Sequence, residues 1–262
     1  MLIKPKKSLG QNFLKEKNII EKIVSSIDIS GQDILEVGPG TGNMTEFILE
    51  KKPNKVFVVE KDNTLSKYLR NKFNDKINII NEDILKIDPG SLSKKKLIVF
   101  GNLPYNISSQ ILSNWIKNLK EEPWFSDLVL MFQKEVANRI ISKKNTSNYG
   151  RLTILSQWRL KIEKLFDVSP NCFNPKPKVD SSVLHFENKK KFKKISNIKN
   201  LEYVTNILFG QRRKMIKHTL KKIFVDYVSI AEQLNIDLSC RPQNLDLKTI
   251  FELVEIHEKL RN

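Results

Sequence analysis

Cysteine is almost missing from this chain: Cys172 and Cys240 are the only two among 262 residues. They stand alone, without C-x-x-C spacing, so neither a disulfide framework nor a thiolate zinc site is expected. Cys172 is expected to be a small buried residue. Histidine is nearly as scarce, and His185, His218 and His257 lack metal-ligand spacing; they are expected to be structural or exposed. No run approaches the ~18 apolar residues of a membrane span. The opening "MLIKPKKSLGQNFL" lacks the apolar stretch of a secretory signal and the Arg- and Ser-rich form of a transit sequence. No internal repeat is present. These absences lead to the expectation of a cytoplasmic protein that needs neither metal nor membrane. Acidic residues are also short, with 29 Asp+Glu against 46 Lys+Arg, a net charge of +17 and a pI near 9.7. A surplus of that size opposes compactness and fits a polyanionic partner. A Lys-rich codon bias, visible in the heavy use of Lys, Asn and Ile, supplies part of it, and a nucleic-acid partner the larger part.

The chain is rich enough in hydrophobic residues, at 40%, to build a proper core. From about 19 to 185 helix-like and strand-like segments alternate. Helical spacing is seen in "IIEKIVSSI" (19–27), "MTEFILEK" (44–51), "LSKYLRNKF" (65–73) and near 108–119, and again from 134 to about 142. Short apolar runs lie between them: "DILEVG" (33–38), "KVFVVE" (55–60), "INIINED" (77–83), "KLIVFGN" (96–102) and "LVLMFQ" (128–133). That alternation predicts an α/β fold with a Rossmann-like parallel sheet, helices on both faces, and ligands at the carboxyl ends of the strands. "YGRLTILSQWRLKIEKLF" (149–166) and "SSVLHFE" (181–187) are expected to add late strands. The expected domains are a catalytic one over 1–187, a basic linker over 188–200 ("NKKKFKKISNIKN" and its edge), and a small all-helical RNA-binding one over 201–262.

The first strand runs into "EVGPGTGN", in which Gly38, Gly40 and Gly42 form G-x-G-x-G. A dinucleotide site wants glycine where Asn43 stands, so a pyrophosphate is not the expected ligand. Glu36 places a negative charge beside the loop, which suits a cationic ligand such as the amino-acid portion of S-adenosylmethionine. Glu60 closes the second strand, about 20 residues on, where an acid accepts from both ribose hydroxyls. Asp83, in "NED", is placed to accept from an adenine amino group. Three acids at the ends of three consecutive strands are the expected cofactor frame.

After the fourth strand comes "GNLPYN" (101–106). An exocyclic aromatic amine is a weak nucleophile because its lone pair is delocalised into the ring. Accepting its two N–H hydrogens pushes the nitrogen toward a tetrahedral shape. The side-chain oxygen of Asn102 is one such acceptor, and the backbone carbonyl of Leu103 or Pro104 is the second. Pro104 fixes its own φ and biases Leu103 to an extended shape. Tyr105 offers a stacking face, worth ~1–3 kcal/mol per base. The target nucleotide must leave its helix to reach this place.

With these residues in view, the chain resembles the small-subunit ribosomal RNA adenine N6,N6-dimethyltransferases, the KsgA family. The signatures that carry the likeness are "GQNFL" (10–14), "EVGPGTG" (36–42), "GNLPYNIS" (101–108), "FQKEVANRI" (132–140), "YGRL" (149–152), "FNPKPKVDS" (173–181) and "FGQRRK" (209–214). The resemblance implies that Asn12 and Leu14 close over S-adenosylmethionine, with Gly38, Gly40, Glu60, Asp83 and Asn102 completing its site. It implies that Phe173 forms the second wall of the base pocket, opposite Tyr105. It also implies the product, two adjacent adenines near the 3′ end of small-subunit rRNA, each methylated twice on an immature subunit. Arg151, Arg212, Arg213, Lys214 and Lys217 are candidate phosphate contacts, each weighed against an ordinary solvated face. Two other readings stay open: the resistance enzyme that dimethylates large-subunit rRNA, and a non-catalytic assembly factor on the same scaffold. A DNA adenine methyltransferase would more commonly carry Asp-Pro-Pro-Tyr or Asn-Pro-Pro-Tyr at this place. A monomer is expected.

Overall fold

The segment "DILEV" is buried at every residue, which requires cover on both faces of its sheet. In a computed structural model that describes residues 5–6 and 9–261, it is the second strand of the chain. Phe13–Leu14 (β1) and Phe173–Asn174 (β8) pair as a small antiparallel piece. The main sheet has seven strands: Asp33–Val37 (β2), Lys55–Val59 (β3), Asn78–Ile80 (β4), Leu97–Asn102 (β5), Phe125–Gln133 (β6), Leu160–Val168 (β7) and Ser181–Asn188 (β9). Their order is β4-β3-β2-β5-β6-β9-β7. The pairs from β4 to β6 are parallel, and β9 runs antiparallel to both of its neighbours. The chain therefore winds outward from β2 to β4, returns to the other side of β2 at β5, and continues outward. A crevice opens at such a reversal, beyond the carboxyl ends of the two central strands. Here those ends carry the glycine loop after β2 and "NLPYN" after β5.

The crossover helices are Lys17–Val24 (α1, before β2), Asn43–Glu50 (α2), Asn63–Phe73 (α3) and Ser108–Lys117 (α4). In α1 the spacing of Ile20, Ile23 and Val24 puts all three on one buried face. Asp62 starts α3 by accepting the Thr64 N–H at 2.9 Å. One apolar cluster joins α1, α2 and α3 to alternate residues of the sheet, among them Ile34, Val56, Val58, Ile98, Phe100, Val129 and Val183.

Two expectations need correction. The stretch 149–166 is not all strand: Arg151–Arg159 is a helix and only Leu160–Val168 extends. Thr153, Ser156 and Arg159, three residues apart, are all buried, the helical rather than the alternating period. The third parallel strand covers only Asn78–Ile80, so Asp83 lies beyond it and caps the short 3-10 turn Ile84–Lys86.

The chain forms two compact units, one of residues 1–137 and 160–188, the other of 138–159 and 189–262. The second thus takes in Arg151–Arg159 (α6) as well as the C-terminal helices Ile198–Gly210 (α7), Lys217–Ile223 (α8), Tyr227–Gln233 (α9) and Leu247–Lys259 (α10); Lys134–Ile140 (α5) begins in the first unit and ends in the second. Of the expected linker 188–200, residues 189–197 are strapped to that unit. Trp158 Nε1 donates to the Lys193 carbonyl at 2.7 Å, and Phe192 sits under the Arg159 guanidinium at 4.4 Å. The Glu258 carboxylate accepts the Ser196 and Asn197 N–H groups at 3.1 and 2.9 Å.

Candidate active site

The loop after β2 turns on Gly38, Gly40 and Gly42, all with positive φ. At Gly40 the reason is also steric, since a Cβ there would come within 2.7 Å of the Phe13 ring. That contact seats the N-terminal segment over the loop. Asn43 Nδ2 donates to the Leu14 carbonyl at 2.8 Å, and Gln11 Nε2 to Asp62 at 3.2 Å. Together these elements enclose a cavity of about 270 Å³.

Most of the residues singled out in the sequence converge on this cavity. Asn12, Leu14, Gly38, Gly40, Glu60 and Asp83 line it, and so do Asn102, Leu103, Pro104 and Tyr105. Glu60 is buried. Its two oxygens accept the Gly40 and Asp62 N–H groups at 3.3 and 2.8 Å. Burial pushes the Glu60 carboxyl up, and the backbone donors pull it back. Asp83 accepts the Leu85 N–H at 3.0 Å and the Lys61 ammonium at 2.8 Å. The Lys61 bond holds the Asp83 carboxyl below the usual range. Asn102 donates its Nδ2 to the Asn12 carbonyl at 2.8 Å, which leaves Oδ1 as the acceptor end of that amide. The Pro104 carbonyl accepts the Ile107 N–H at 3.1 Å. Tyr105 is half-buried, and its hydroxyl lies 2.6 Å from Ser181 Oγ.

Two expected residues are elsewhere. Glu36 does not line the cavity: it is 1% exposed and accepts the Thr45 hydroxyl at 2.6 Å beneath the loop. Burial raises its carboxyl to about 7, with the neighbouring Glu60 charge adding to the shift. Every residue of β2 is buried, and the Glu36 side chain is taken up by Thr45 of the following helix α2 rather than by the loop. Phe173 does not line the cavity either. It is 3% exposed, belongs to the apolar cluster, and pairs through its backbone with Leu14.

Sequence reading passed over Asp62, Gln11 and Asn43, which pin the N-terminal segment. A signal was available in "EKDN" (60–63), where a second acid follows Glu60 at the start of a helix. In the helical unit, Arg151 Nη1 donates to Asn206 at 3.0 Å. Arg212 Nη2 donates to the Ser147 and Tyr149 carbonyls at 2.6 and 2.5 Å, so that guanidinium holds a loop. Arg213 and Lys214 are exposed and Lys217 is half-buried. Among the described residues no group of His, Cys, Asp and Glu is arranged to hold a metal ion, and no helix is long and apolar enough to cross a membrane.

Known proteins resemble this chain over nearly its whole length. The family profile described as ribosomal RNA adenine dimethylase matches residues 3–259. The ribosomal RNA small subunit methyltransferase A of Pelagibacter ubique (strain HTCC1062) is 54% identical over 261 residues, covering 100% of both chains. A solved dimethyladenosine transferase from Plasmodium falciparum superposes with a TM-score of 0.81 at 26% identity, over 94% of this chain and 98% of that one. The 23S rRNA methyltransferase ErmE superposes with a TM-score of 0.69 at 23% identity, over 93% of this chain and 100% of that one, a likeness of fold alone.

Proposed function

Since this chain belongs to the ribosomal RNA adenine dimethylase family, we propose that it methylates N6 of two adjacent adenines near the 3′ end of small-subunit rRNA, twice each. It acts as a cytoplasmic monomer on an immature subunit. The observation that carries the reading is the meeting of three acceptors, Glu60, Asp83 and Asn102, on one cavity.

The donor set fits S-adenosylmethionine. Glu60 suits two ribose hydroxyls, Asp83 an adenine amine, and the apolar walls Val37, Val59, Leu65 and Ile84 a purine face. When bound, that cofactor supplies an electrophilic methyl group. The chain's own residues do the rest. Asn102 Oδ1 accepts one hydrogen of the target amine, its amide held the right way round by the Asn12 carbonyl. The Pro104 carbonyl already accepts the Ile107 N–H, which favours the Leu103 carbonyl as the second acceptor. Tyr105 stacks on the displaced base, and alignment lowers the barrier. Glu36 acts from beneath the loop, through charge rather than contact. In the helical unit Arg213 and Lys214 make phosphate contacts, joined by Lys217, while Arg212 and Arg151 keep the unit's own loops in place.

The test is tritiated S-adenosylmethionine with immature small subunits, followed by mass spectrometry of the labelled rRNA. Two neighbouring dimethyladenines are expected. Asn102→Ala should cut turnover about a hundredfold or more, the usual cost of one preorganised polar group at a reacting centre. Label that survives Asn102→Ala sinks the mechanism. Label in large-subunit rRNA instead assigns the resistance activity, and none from the native protein assigns an assembly factor.

A further inference from the structure

The motif "FNPKPKVDS" begins at Phe173 and ends at Ser181, and the reading above gives Ser181 no role. Ser181 is fully buried and does not line the cavity. It opens β9, the middle strand of the antiparallel edge, where it pairs with Gln133 of β6 and Val168 of β7. The same corner is braced by charge. Ser182 donates to Asp167 at 2.6 Å, and Lys134 and Lys164 reach that carboxylate at 3.0 and 2.6 Å. The Lys134 N–H also donates to the Asp180 carbonyl at 2.9 Å. Ser181 is therefore a fixed point.

Tyr105 is the opposite case, a half-buried side chain on the loop after β5 with two rotatable bonds. Its hydroxyl meets Ser181 Oγ at 2.6 Å across 76 residues of sequence. Ordering such a ring when a base arrives takes away from the binding energy. A ring already tied at its far end does not carry that cost.

We infer that Ser181 is a positioning residue for base capture: its hydroxyl holds the Tyr105 ring in one orientation, so that a fixed face meets an incoming purine. The inference rests on the proposed transfer to a displaced RNA adenine. Ser181 itself touches neither base nor cofactor, and its effect passes through Tyr105.

The anchoring is read first without RNA, in protein labelled with 3-fluorotyrosine. The Tyr105 fluorine signal is assigned by its loss in Tyr105→Phe. In Ser181→Ala it should shift and narrow as the ring becomes free to turn; an unchanged signal overturns the inference. The kinetic arm uses small-subunit rRNA. Ser181→Ala and Tyr105→Phe remove the same bond from its two ends, the second without touching the sheet. Each should lower kcat/KM for RNA about threefold to tenfold, the net worth of one ordinary hydrogen bond. The KM for S-adenosylmethionine should stay as in the native protein, and the double variant should lose no more than the worse single one. Additive losses, or an equal rise in the cofactor KM, overturn the inference. A native protein that transfers no methyl to RNA refutes the proposed function, while the fluorine signal still decides the anchoring.

Discussion

The cofactor side of the cavity and its target side are held in different ways. Glu60 and Asp83 take their positions from their own loops and from the neighbouring βα loop. The Asp62 and Leu85 N–H groups bind them from two residues away, and Gly40 and Lys61 from 20 and 22. Asn102 and Tyr105 are fixed from far along the chain, by Asn12 across 90 residues and Ser181 across 76. Local bonds form wherever the βα units form, so the cofactor frame follows from the parallel sheet alone. The target side also needs the N-terminal segment laid over the glycine loop and the antiparallel edge closed beside β6. Cofactor binding should therefore survive changes that ruin base placement, and the reverse should not hold.

Removing Glu60 gives the largest effect on the first half of that contrast. Both of its oxygens accept N–H bonds in a buried place, so Glu60→Ala strands two backbone donors as well as losing the ribose acceptors. A stranded buried donor costs about 1–3 kcal/mol. Calorimetric titration with S-adenosylmethionine, without RNA, should show affinity roughly tenfold to a hundredfold weaker. Glu60→Gln should fare little better, because one amide end would face a donor with a donor. Native affinity in both variants would break the comparison.

Phe173 tests the other half with a smaller effect. It sits in the apolar cluster at 3% exposure, so Phe173→Ala should cost ~3 kcal/mol or more of stability whatever its role. Phe173→Leu keeps most of the volume and should cost less than about 1.5 kcal/mol. As the second wall of the base pocket, Phe173 should leave cofactor affinity native in Phe173→Leu while turnover on rRNA falls about fivefold, a modest loss of base stacking. Turnover that merely follows the melting temperature would make it a core residue only.

The same contrast explains what could be read in advance. Strands such as "DILEV" and "KVFVV", the glycine turn, Glu60 and Asp83 are legible because hydrophobic period and turn chemistry act over a few residues. Asn102 and Tyr105 could be picked out as chemical types, but their partners Asn12 carbonyl and Ser181 follow only from tertiary pairing. The helix Arg151–Arg159 is hard to tell from a strand in the sequence because Ile154 and Trp158, four apart, share a face in either; the burial of Thr153, Ser156 and Arg159, three apart, is what separates the two. Glu36 resembles a ligand contact because an acid stands next to glycines, and the Thr45 hydroxyl that claims it instead follows only from the packing of α2. Arg212 looked like a phosphate ligand, and what claims it are two carbonyls 63 and 65 residues away.

Glu36 gives the smallest and most specific test, since it belongs to the cofactor side by charge but not by contact. Its carboxyl is raised from 4.5 to about 7 on folding, because burial disfavours the charged form. A carboxyl raised by folding binds its proton more tightly in the native state. The protonated side chain therefore supports folding fully below about 4.5, and that support is lost as pH rises through about 7. Glu36→Gln keeps an oxygen for the Thr45 hydroxyl and cannot ionise. Its melting temperature should match the native protein near pH 5 and exceed it by a few degrees near pH 8, an effect on the order of 1–3 kcal/mol. S-adenosylmethionine should bind the variant less well at pH 8 than it binds the native protein, since the negative charge beneath the loop is gone, and equally well near pH 5, where that charge is neutralised in both. A difference of the same size at both pH values would mean that Glu36 acts by shape alone, and the cofactor side would then owe its cation preference to Glu60 and Asp83.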